Sequence, residues 1–361
     1  MSLFHDFCDA AYAESIANRD DSYCIHNVIR GYLHDECSIE GITTIFECIF
    51  LELKSSIVNG NIDRQLWLMD QIYIVRATYN LVVSPEQSST FLESGLYLIE
   101  RGRWSDISTK LGNINENDTS SFGVSVGFLK ALTYRKRGML SEAERLYASI
   151  NKDRKKLGKF EDLLLFHDAH AQHLLGGYSK ALNVYTKLIT SQLGLENIPS
   201  VSNLAKRQYA DILMIKGRFK SAISLFEELA KIDVYGDIWV SECFRFCGHV
   251  FRFNFDFESA LENYLRAEKI AIQIGADAML GKVKTNLVET LCWTNPRYAL
   301  ELSAEAIDLN KEVNAPIELG KTYAALGIAK AFFGLYDEAY ASANKAIEIQ
   351  KVTGYLSGQL F

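Results

Sequence analysis

The sequence contains little proline and no long apolar run. Its 361 residues include four prolines, too few for a proline-rich disordered chain. No stretch reaches the roughly 18 to 20 consecutive apolar residues of a membrane span, and the N-terminus lacks a basic region followed by an apolar segment. We therefore expect a cytoplasmic protein with no membrane partner.

An excess of positive charge is also missing. The 45 acidic residues outnumber the 38 basic ones and give a net charge of −7, whereas nucleic-acid phosphates require a basic stripe. We therefore expect no direct nucleic-acid partner. The seven cysteines are an odd number and lie within helical patterns, which favours buried thiols in a reducing compartment over a disulfide framework.

No motif in the sequence indicates catalysis. The chain has no GxxxxGK phosphate loop and no dinucleotide fingerprint after a strand. The segment Gly123-Val124-Ser125-Val126-Gly127 matches the GxSxG pattern of a nucleophile elbow, but we expect it to open a helix without the preceding strand that the elbow needs. The sequence therefore predicts a non-enzymatic protein with no cofactor.

What the sequence does contain is a repeat of about 40 residues. A large side chain in most copies precedes a small residue by three positions, a glycine in several lies two positions earlier, and an aromatic often follows four positions later. The glycine suits a tight turn between helices, and the small residue lets two helices approach closely. Each copy therefore predicts an antiparallel helix hairpin. The recurring small residues are Ala143, Ala181, Ala222, Ala260, Ala299 and Ala339.

Proline and glycine positions support these hairpins. Pro85, Pro199 and Pro316 fall where a new repeat should begin, and proline is tolerated in the first turn of a helix. In two copies Phe255 and Thr294 stand in the place of the turn glycine, a departure that concerns the register of those copies and not the fold. We therefore expect helices to start at the three prolines.

The segment from Tyr323 to Ala346 carries the pattern most completely, with Leu326-Gly327, Gly334, Tyr336 and Ala339. It resembles the tetratricopeptide repeat (TPR), and the long period resembles the variety found in sensor regions of bacterial signal-responsive regulators. The resemblance implies an all-α fold, a right-handed α-α superhelix of about 7–8 antiparallel hairpins. We expect an irregular helical cap over residues 1–45 and the solenoid over 46–361, with repeats centred near 60, 102, 138, 176, 217, 255, 294 and 334.

Such a resemblance implies binding through a concave groove that is lined by the first helix of each hairpin. Arginines in such a groove can clamp carboxylates or phosphates, while aromatic side chains supply apolar anchors. The alternative is that these charges are solvated on exposed helix faces. Aligned on their alanines, the repeats place the following residues in the groove: Phe128, Arg135, Lys136, Phe166, His170, His173, Arg207, Asp211, Glu242, Arg245, His249, Arg252 and Phe253.

Three functions follow from these features. The first is a non-catalytic interaction module that binds a peptide, a protein segment or a small anionic effector as the sensor part of a bacterial transcriptional or signalling regulator. The second is a scaffold that self-associates, as a homodimer, through a C-terminal hairpin with exposed apolar surface. The third is a metal enzyme.

The third function would use a histidine cluster. His167, His170 and His173 lie three apart on one helix and could share a metal with His249. Steps of three drift around a helix, however, and no HExxH pattern accompanies them, so we expect no metal. Cys243 and Cys247 are likewise interpreted as buried structural thiols.

Overall fold

The computed structural model describes residues 39–111, 118–190, 200–232, 236–353 and 355. Throughout these residues the regular structure is helical and contains no strand, which confirms the predicted all-α helical-repeat fold. Most of the predicted cap lies outside the described residues, as do Cys8, Cys24, Cys37 and Pro199. The division of the chain at residues 45 and 46 stays a prediction.

The chain divides into two compact units. Of the described residues, the first unit contains 39–98 and 118–125. It comprises α1 (Ile39–Val58), α2 (Ile62–Tyr79) and most of α3 (Pro85–Glu100), packed around a core that includes the buried Leu53 and Leu68. None of the described helices in either unit is long and apolar enough to cross a bilayer.

The second unit contains the remaining described residues, from the last two residues of α3 onward. Its helices follow one another in pairs joined by short turns, and a 3₁₀ segment (Asn151–Phe160) stands between two of the pairs. They are α4 (Trp104–Lys110), α5 (Ser121–Lys136, from residue 126), α6 (Leu140–Ile150), α7 (Glu161–Leu174), α8 (Tyr178–Leu188), α9 (Val201–Ile215), α10 (Phe219–Ala230), α11 (Gly236–Phe253), α12 (Phe257–Gln273), α13 (Asp277–Thr294), α14 (Pro296–Glu312), α15 (Pro316–Phe332) and α16 (Tyr336–Thr353).

The recurring alanines lie where two helices approach each other. Five of them have no exposed surface, because a methyl group is the largest side chain that such a close approach accommodates. Ala339, in the last pair, is only half-buried. The five are Ala143, Ala181, Ala222, Ala260 and Ala299.

The starts of two helices agree with the expectation from proline. Helices α3 and α15 begin at Pro85 and Pro316, which confirms both predicted starts. Phe255 adopts the left-handed conformation (φ 59°) that glycine adopts in the other turns. At the remaining unusual turn Asn295 ends α13 and also caps α14, because its side chain accepts a hydrogen bond from the Tyr298 amide.

Glycine is required at the α5–α6 turn for two reasons. Gly138 has a φ of 76°, and a Cβ there would lie 2.8 Å from Cγ2 of Thr353 and 3.1 Å from Cγ of Pro316. The turn therefore packs closely on the start of α15 and the end of α16. Within the second unit, the helix pairs consequently coil back on themselves.

Three side chains that resembled reactive groups are buried. Cys243 and Cys247 are 0% and 3% exposed, and burial raises the pKa of each thiol to about 12, which confirms their interpretation as structural thiols. Ser125 lies within α5 and is also buried. The GxSxG segment therefore opens a helix, as predicted, and presents no exposed nucleophile.

Candidate functional site

Polar side chains on the first helices of consecutive pairs contact one another from helix to helix in the second unit. We call this set the polar ladder. Its rungs join α3 to α5, α5 to α7, α7 to α9 and α11 to α13. Its members are Glu100, Arg135, Lys136, His167, His170, His173, Arg207, Asp211, Glu242, Arg245, His249, Arg252, Lys282, Asn286, Glu289, Glu318 and Lys321.

The rungs at α5 involve two basic residues next to each other. Lys136 Nζ lies 3.2 Å from Oε1 of Glu100 at the end of α3. Arg135 instead contacts two histidines of α7, with Nη1 3.2 Å from Nδ1 of His170 and Nη2 3.4 Å from Nδ1 of His167. Arg135 thus faces ring nitrogens, whereas its neighbour faces a carboxylate.

The next rung joins α7 to α9. His173 Nε2 lies 3.4 Å from Oδ2 of Asp211. One turn earlier on α9, the guanidinium of Arg207 lies over the rings of Trp239 and Phe246, 4.9 Å and 5.6 Å from their centroids. These aromatic faces attract the cation without neutralising its charge.

Helix α11 carries the densest part of the ladder. Arg245 Nε donates to Oε2 of Glu242 at 2.6 Å, while its Nη1 lies 3.1 Å from Nε2 of His249 and donates to Oδ1 of Asn286 at 3.3 Å. Lys282 of α13 lies 3.6 Å from the other oxygen of Glu242. The buried arginine therefore has a carboxylate, an imidazole and an amide as partners.

Two further ion pairs extend the ladder toward the last helices. Arg252 Nη2 lies 3.6 Å from Oε2 of Glu289 on α13, and Lys321 donates to Glu318 on α15 at 3.1 Å. Lys321 and Arg245 both act on the carboxylate of Asp211. Groups from α9, α11 and α15 are therefore within electrostatic reach of one another.

Burial and charge act in opposite directions on the acidic groups of the ladder. Burial alone would raise the pKa of Glu242, but Arg245, Lys282 and Arg207 lower it well below its usual range. For Asp211 burial prevails and raises the pKa. Glu242 is thus held as a carboxylate chiefly by its partners.

The histidines of the ladder are neutral at neutral pH. Burial first, and then the nearby positive charges, lower the pKa of His167, His170 and His249 well below the usual range. Burial also lowers the pKa of His173, although Asp211 opposes that effect. Burial likewise lowers the pKa of the Lys136 ammonium to about 8, against the effect of Glu100.

The structure brings most of the predicted groove residues into the ladder. Phe253 is half-buried beside it, with its ring centroid 5.2 Å from the Arg252 guanidinium. Phe128 and Phe166 are fully buried against Tyr147 and Tyr185. These two phenylalanines therefore belong to the packing between helices, and they expose no apolar surface to a ligand.

Sequence reasoning missed part of the ladder. The missed residues lie on α3, α13 and α15, helices for which the alignment on alanines gave none of the predicted groove residues. The repeat period could have indicated them, because a ladder residue contacts a residue about one repeat further along the chain. The separation is 35 residues from Arg135 to His170 and 41 residues from Arg245 to Asn286. The missed residues are Glu100, Lys282, Asn286, Glu289, Glu318 and Lys321.

The geometry of the histidine cluster does not support the third candidate function, a metal enzyme. No three histidine, cysteine, aspartate or glutamate side chains of the described segments are arranged as metal ligands. His167 and His170 are instead in contact with Arg135, and a guanidinium at that distance competes with a cation for the same nitrogens.

The paired helices, the buried alanines and the absence of strands from the described residues define the class of this protein. Its fold is a TPR-like, all-α helical repeat. No protein-family model matches the sequence, and no curated protein matches it.

The solved structures that are similar to the chain include two that align with most of its length. One is a Rap protein complexed with Competence and Sporulation Factor, with a TM-score of 0.56 and 12% identity over 85% of this chain and 98% of that chain. The other is the apo form of the quorum sensor NprR from B. thuringiensis, with a TM-score of 0.55 and 16% identity over 96% of this chain and 99% of that chain. At such identities the similarity establishes the fold alone.

Proposed function

We propose that the protein is a non-catalytic regulatory module that binds a peptide or a protein segment along the polar ladder. The observation that carries this proposal is the ladder itself, a row of charged and hydrogen-bonding side chains on neighbouring first helices. A solenoid can stack its hairpins through apolar contacts alone, and buried charges cost free energy unless they are matched. Their concentration on one set of helices therefore favours a binding role over a packing role.

The similar structures support a signalling role. One of them is a complex with Competence and Sporulation Factor and the other is a quorum sensor. By analogy, we propose that this chain is the sensor part of a bacterial regulator. The free thiols at Cys243, Cys247 and Cys292 are typical of a reducing compartment such as the cytoplasm.

Peptide binding can be tested on the intact chain with fluorescent hexapeptide pools. We expect at least one pool to bind, and the Arg252→Ala variant to bind it roughly tenfold more weakly, because a charge-assisted hydrogen bond is removed. The matched control is Arg266→Ala, since Arg266 lies over the Phe244 ring outside the ladder. Binding by no pool, or equal losses in both variants, would contradict the proposal.

Self-association remains a second candidate because of one observation. The end of the first helix, the turn and the second helix of the last pair expose several large apolar side chains, among them Phe332 at 57%, Tyr336 at 72% and Tyr340 at 71%. Exposed apolar patches of this kind mark interaction surfaces. Sedimentation velocity over a hundredfold range of concentration should then detect a dimer that Tyr336→Ser weakens, and a strict monomer would exclude it.

A further inference from the structure

The second helices of the last two pairs, α14 and α16, can be compared residue by residue. They begin 40 residues apart, at Pro296 and Tyr336, and their recurring alanines, Ala299 and Ala339, have the same separation. Residues 40 apart therefore occupy equivalent positions in the two helices. Because each pair of a solenoid packs on the next one, the comparison identifies the side of α16 that a further helix would cover.

In α14 that side is covered by the pair that follows. Leu300 and Ile307 pack against an apolar cluster that α15 and α16 form. Ala299 and Ser303, on the same side of the helix, are 0% and 3% exposed. This side of α14 therefore holds the last pair in the stack.

In α16 the equivalent side is uncovered by the described residues. Tyr340 is 71% exposed and Ile347 is 46% exposed, whereas their counterparts Leu300 and Ile307 are half-buried. No described helix follows α16. We call the uncovered set the apolar stripe. Its members are spaced four, three and four residues apart, which places them on one face of the helix: Tyr336, Tyr340, Ala343 and Ile347.

The charges of α16 are divided between its two ends. Asp337 and Glu338 lie in its first turn and Lys351 lies in its last turn. Asp337 and Lys351 are both exposed. A second α16 that runs in the opposite direction would bring its basic end beside this acidic end, and the opposite ends of the two helix dipoles would meet as well. A parallel copy would instead bring like charges together.

One antiparallel register satisfies the apolar residues and the charges together. When Tyr340 of one copy lies opposite Ile347 of the other, Asp337 falls within one position of Lys351. Ala343 then lies at the centre of the pair, where its small side chain lets the two helices approach closely. The apolar stripe is therefore complementary to an antiparallel copy of itself.

We propose that α16 pairs antiparallel with α16 of a second copy of the chain, about a two-fold axis beside Ala343. In each half of this symmetric interface Tyr340 packs on Ile347 of the second copy, and Asp337 pairs with Lys351 of the second copy. This inference rests on the self-association described above as the second candidate function and specifies its geometry. A single pair of 18-residue helices is small beside the roughly 800 Å² per partner of a standard interface, so we expect a dissociation constant on the order of 10 μM.

The register can be tested by charge reversal on the full chain. Sedimentation velocity over a hundredfold range of concentration compares the wild type with Asp337→Lys, with Lys351→Asp and with the double variant that carries both changes. The matched control is Asp308→Lys, whose side chain is 80% exposed on α14, away from the apolar stripe.

We expect each single reversal to weaken the dimer roughly tenfold, because the symmetry places two like-charged contacts in every pair. The control should associate as the wild type does. The double variant, and an equimolar mixture of the two single variants, should regain wild-type affinity to within about threefold, since opposite charges face each other again in both.

The apolar contact has its own pair of variants. Tyr340→Ser should weaken the dimer roughly tenfold or more, because it removes a large buried side chain from each half of the interface. Tyr298→Ser is the control, since Tyr298 is 48% exposed near the start of α14 and lies outside the apolar stripe. Thermal unfolding of the dilute monomer should be the same in both variants as in the wild type.

Four results would overturn the inference. A dimer that Tyr336→Ser weakens and that no charge reversal affects would preserve self-association and exclude this register. Tighter association of Asp337→Lys with the wild type than of either chain with itself would indicate a parallel pair. A strict monomer would remove both the register and the second candidate function. A strict monomer that Tyr340→Ser destabilises would show that the apolar stripe is covered within one chain.

Discussion

The ladder contains two arginine–histidine contacts that are alike in geometry and different in charge balance. Arg135 lies 3.2 Å from His170, and Arg245 lies 3.1 Å from His249. Both imidazoles are held neutral, because burial and the adjacent guanidinium lower their pKa. Only Arg245 also has a carboxylate, at 2.6 Å from Glu242.

The difference separates two uses of a buried charge. At α11 Glu242 satisfies Arg245 within the protein, and Arg245 also donates to Asn286, so this part of the ladder holds helices α11 and α13 in register. At α5 Arg135 contacts only neutral imidazoles among the described hydrogen-bond partners and forms no ion pair with a described carboxylate. The following predictions test this distinction, from the largest expected effect to the smallest.

The largest effect is expected from Glu242→Gln. The substitution removes the carboxylate that the buried Arg245 shares with the partly exposed Lys282, and breaking a buried pair in this way typically costs about 3 kcal/mol of the free energy of unfolding. Urea denaturation at pH 7.5 measures the loss. The control is Glu338→Gln, whose side chain is 60% exposed beside Lys330 and should cost less than about 1 kcal/mol. Similar losses in both would show that the α11 charges are not structural.

A pH series tests whether the histidine of each contact is neutral. Because the pKa of His170 in the folded protein lies below its usual value of about 6.5, the unfolded chain binds a proton first as the pH falls. The stability contributed by the neutral ring is therefore present above about 6.5 and lost as the pH falls below it.

The expected size of this pH effect is that of a single titrating histidine. Between pH 7.5 and 5.5 the His170→Gln variant should lose about 1.4 kcal/mol less stability than the wild type, as measured by urea denaturation at both pH values. His249→Gln should behave in the same way, since Arg245 affects it as Arg135 affects His170. If either variant lost as much stability as the wild type between the two pH values, the corresponding histidine ring would already be solvated in the folded protein.

Arg135→Gln should have a smaller effect of the opposite sign from Glu242→Gln. Removing a buried cation that has no counter-charge relieves desolvation, so stability should be unchanged or rise by no more than about 1 kcal/mol. The same urea experiment without any ligand measures it. A loss as large as that of Glu242→Gln would mean that Arg135 has a structural partner, and the distinction between the two contacts would be lost.

The smallest effect is expected at the turn that follows Arg252. Phe255 is 81% exposed and has a φ of 59°, a conformation that costs a residue with a side chain about 1–2 kcal/mol. Phe255→Gly should therefore stabilise the chain by about 0.5 kcal/mol after the entropy of glycine is subtracted. The measurement is the thermal midpoint, which should rise while the pH dependence of stability stays as in the wild type. The variant thus gives the effect of a change in the same helix pair that leaves the charges of the ladder intact. A fall would show that the exposed ring contributes contacts.

Much of the fold could be predicted because it depends on local spacing. The alanine positions and the helix starts at Pro85 and Pro316 each follow from a few adjacent residues. The burial of Phe128 and Phe166 could not be predicted in the same way, because a first helix has one face toward the ladder and another toward its partner helix. An alignment on a fixed repeat period does not distinguish the two faces of the helix for an aromatic residue that lies near their boundary.

The amino-acid sequence by itself determined that the chain folds into alanine-packed helix pairs and that polar residues gather on their first helices. Helical periodicity and turn chemistry act over a few residues, so they can be recognised in the sequence without knowledge of the fold. Only the tertiary structure decided which charges meet. Glu242 neutralises Arg245 while Arg135 is left with neutral rings, because a charge is satisfied by the side chains that neighbouring helices bring within 4 Å, and that depends on how the helices stack.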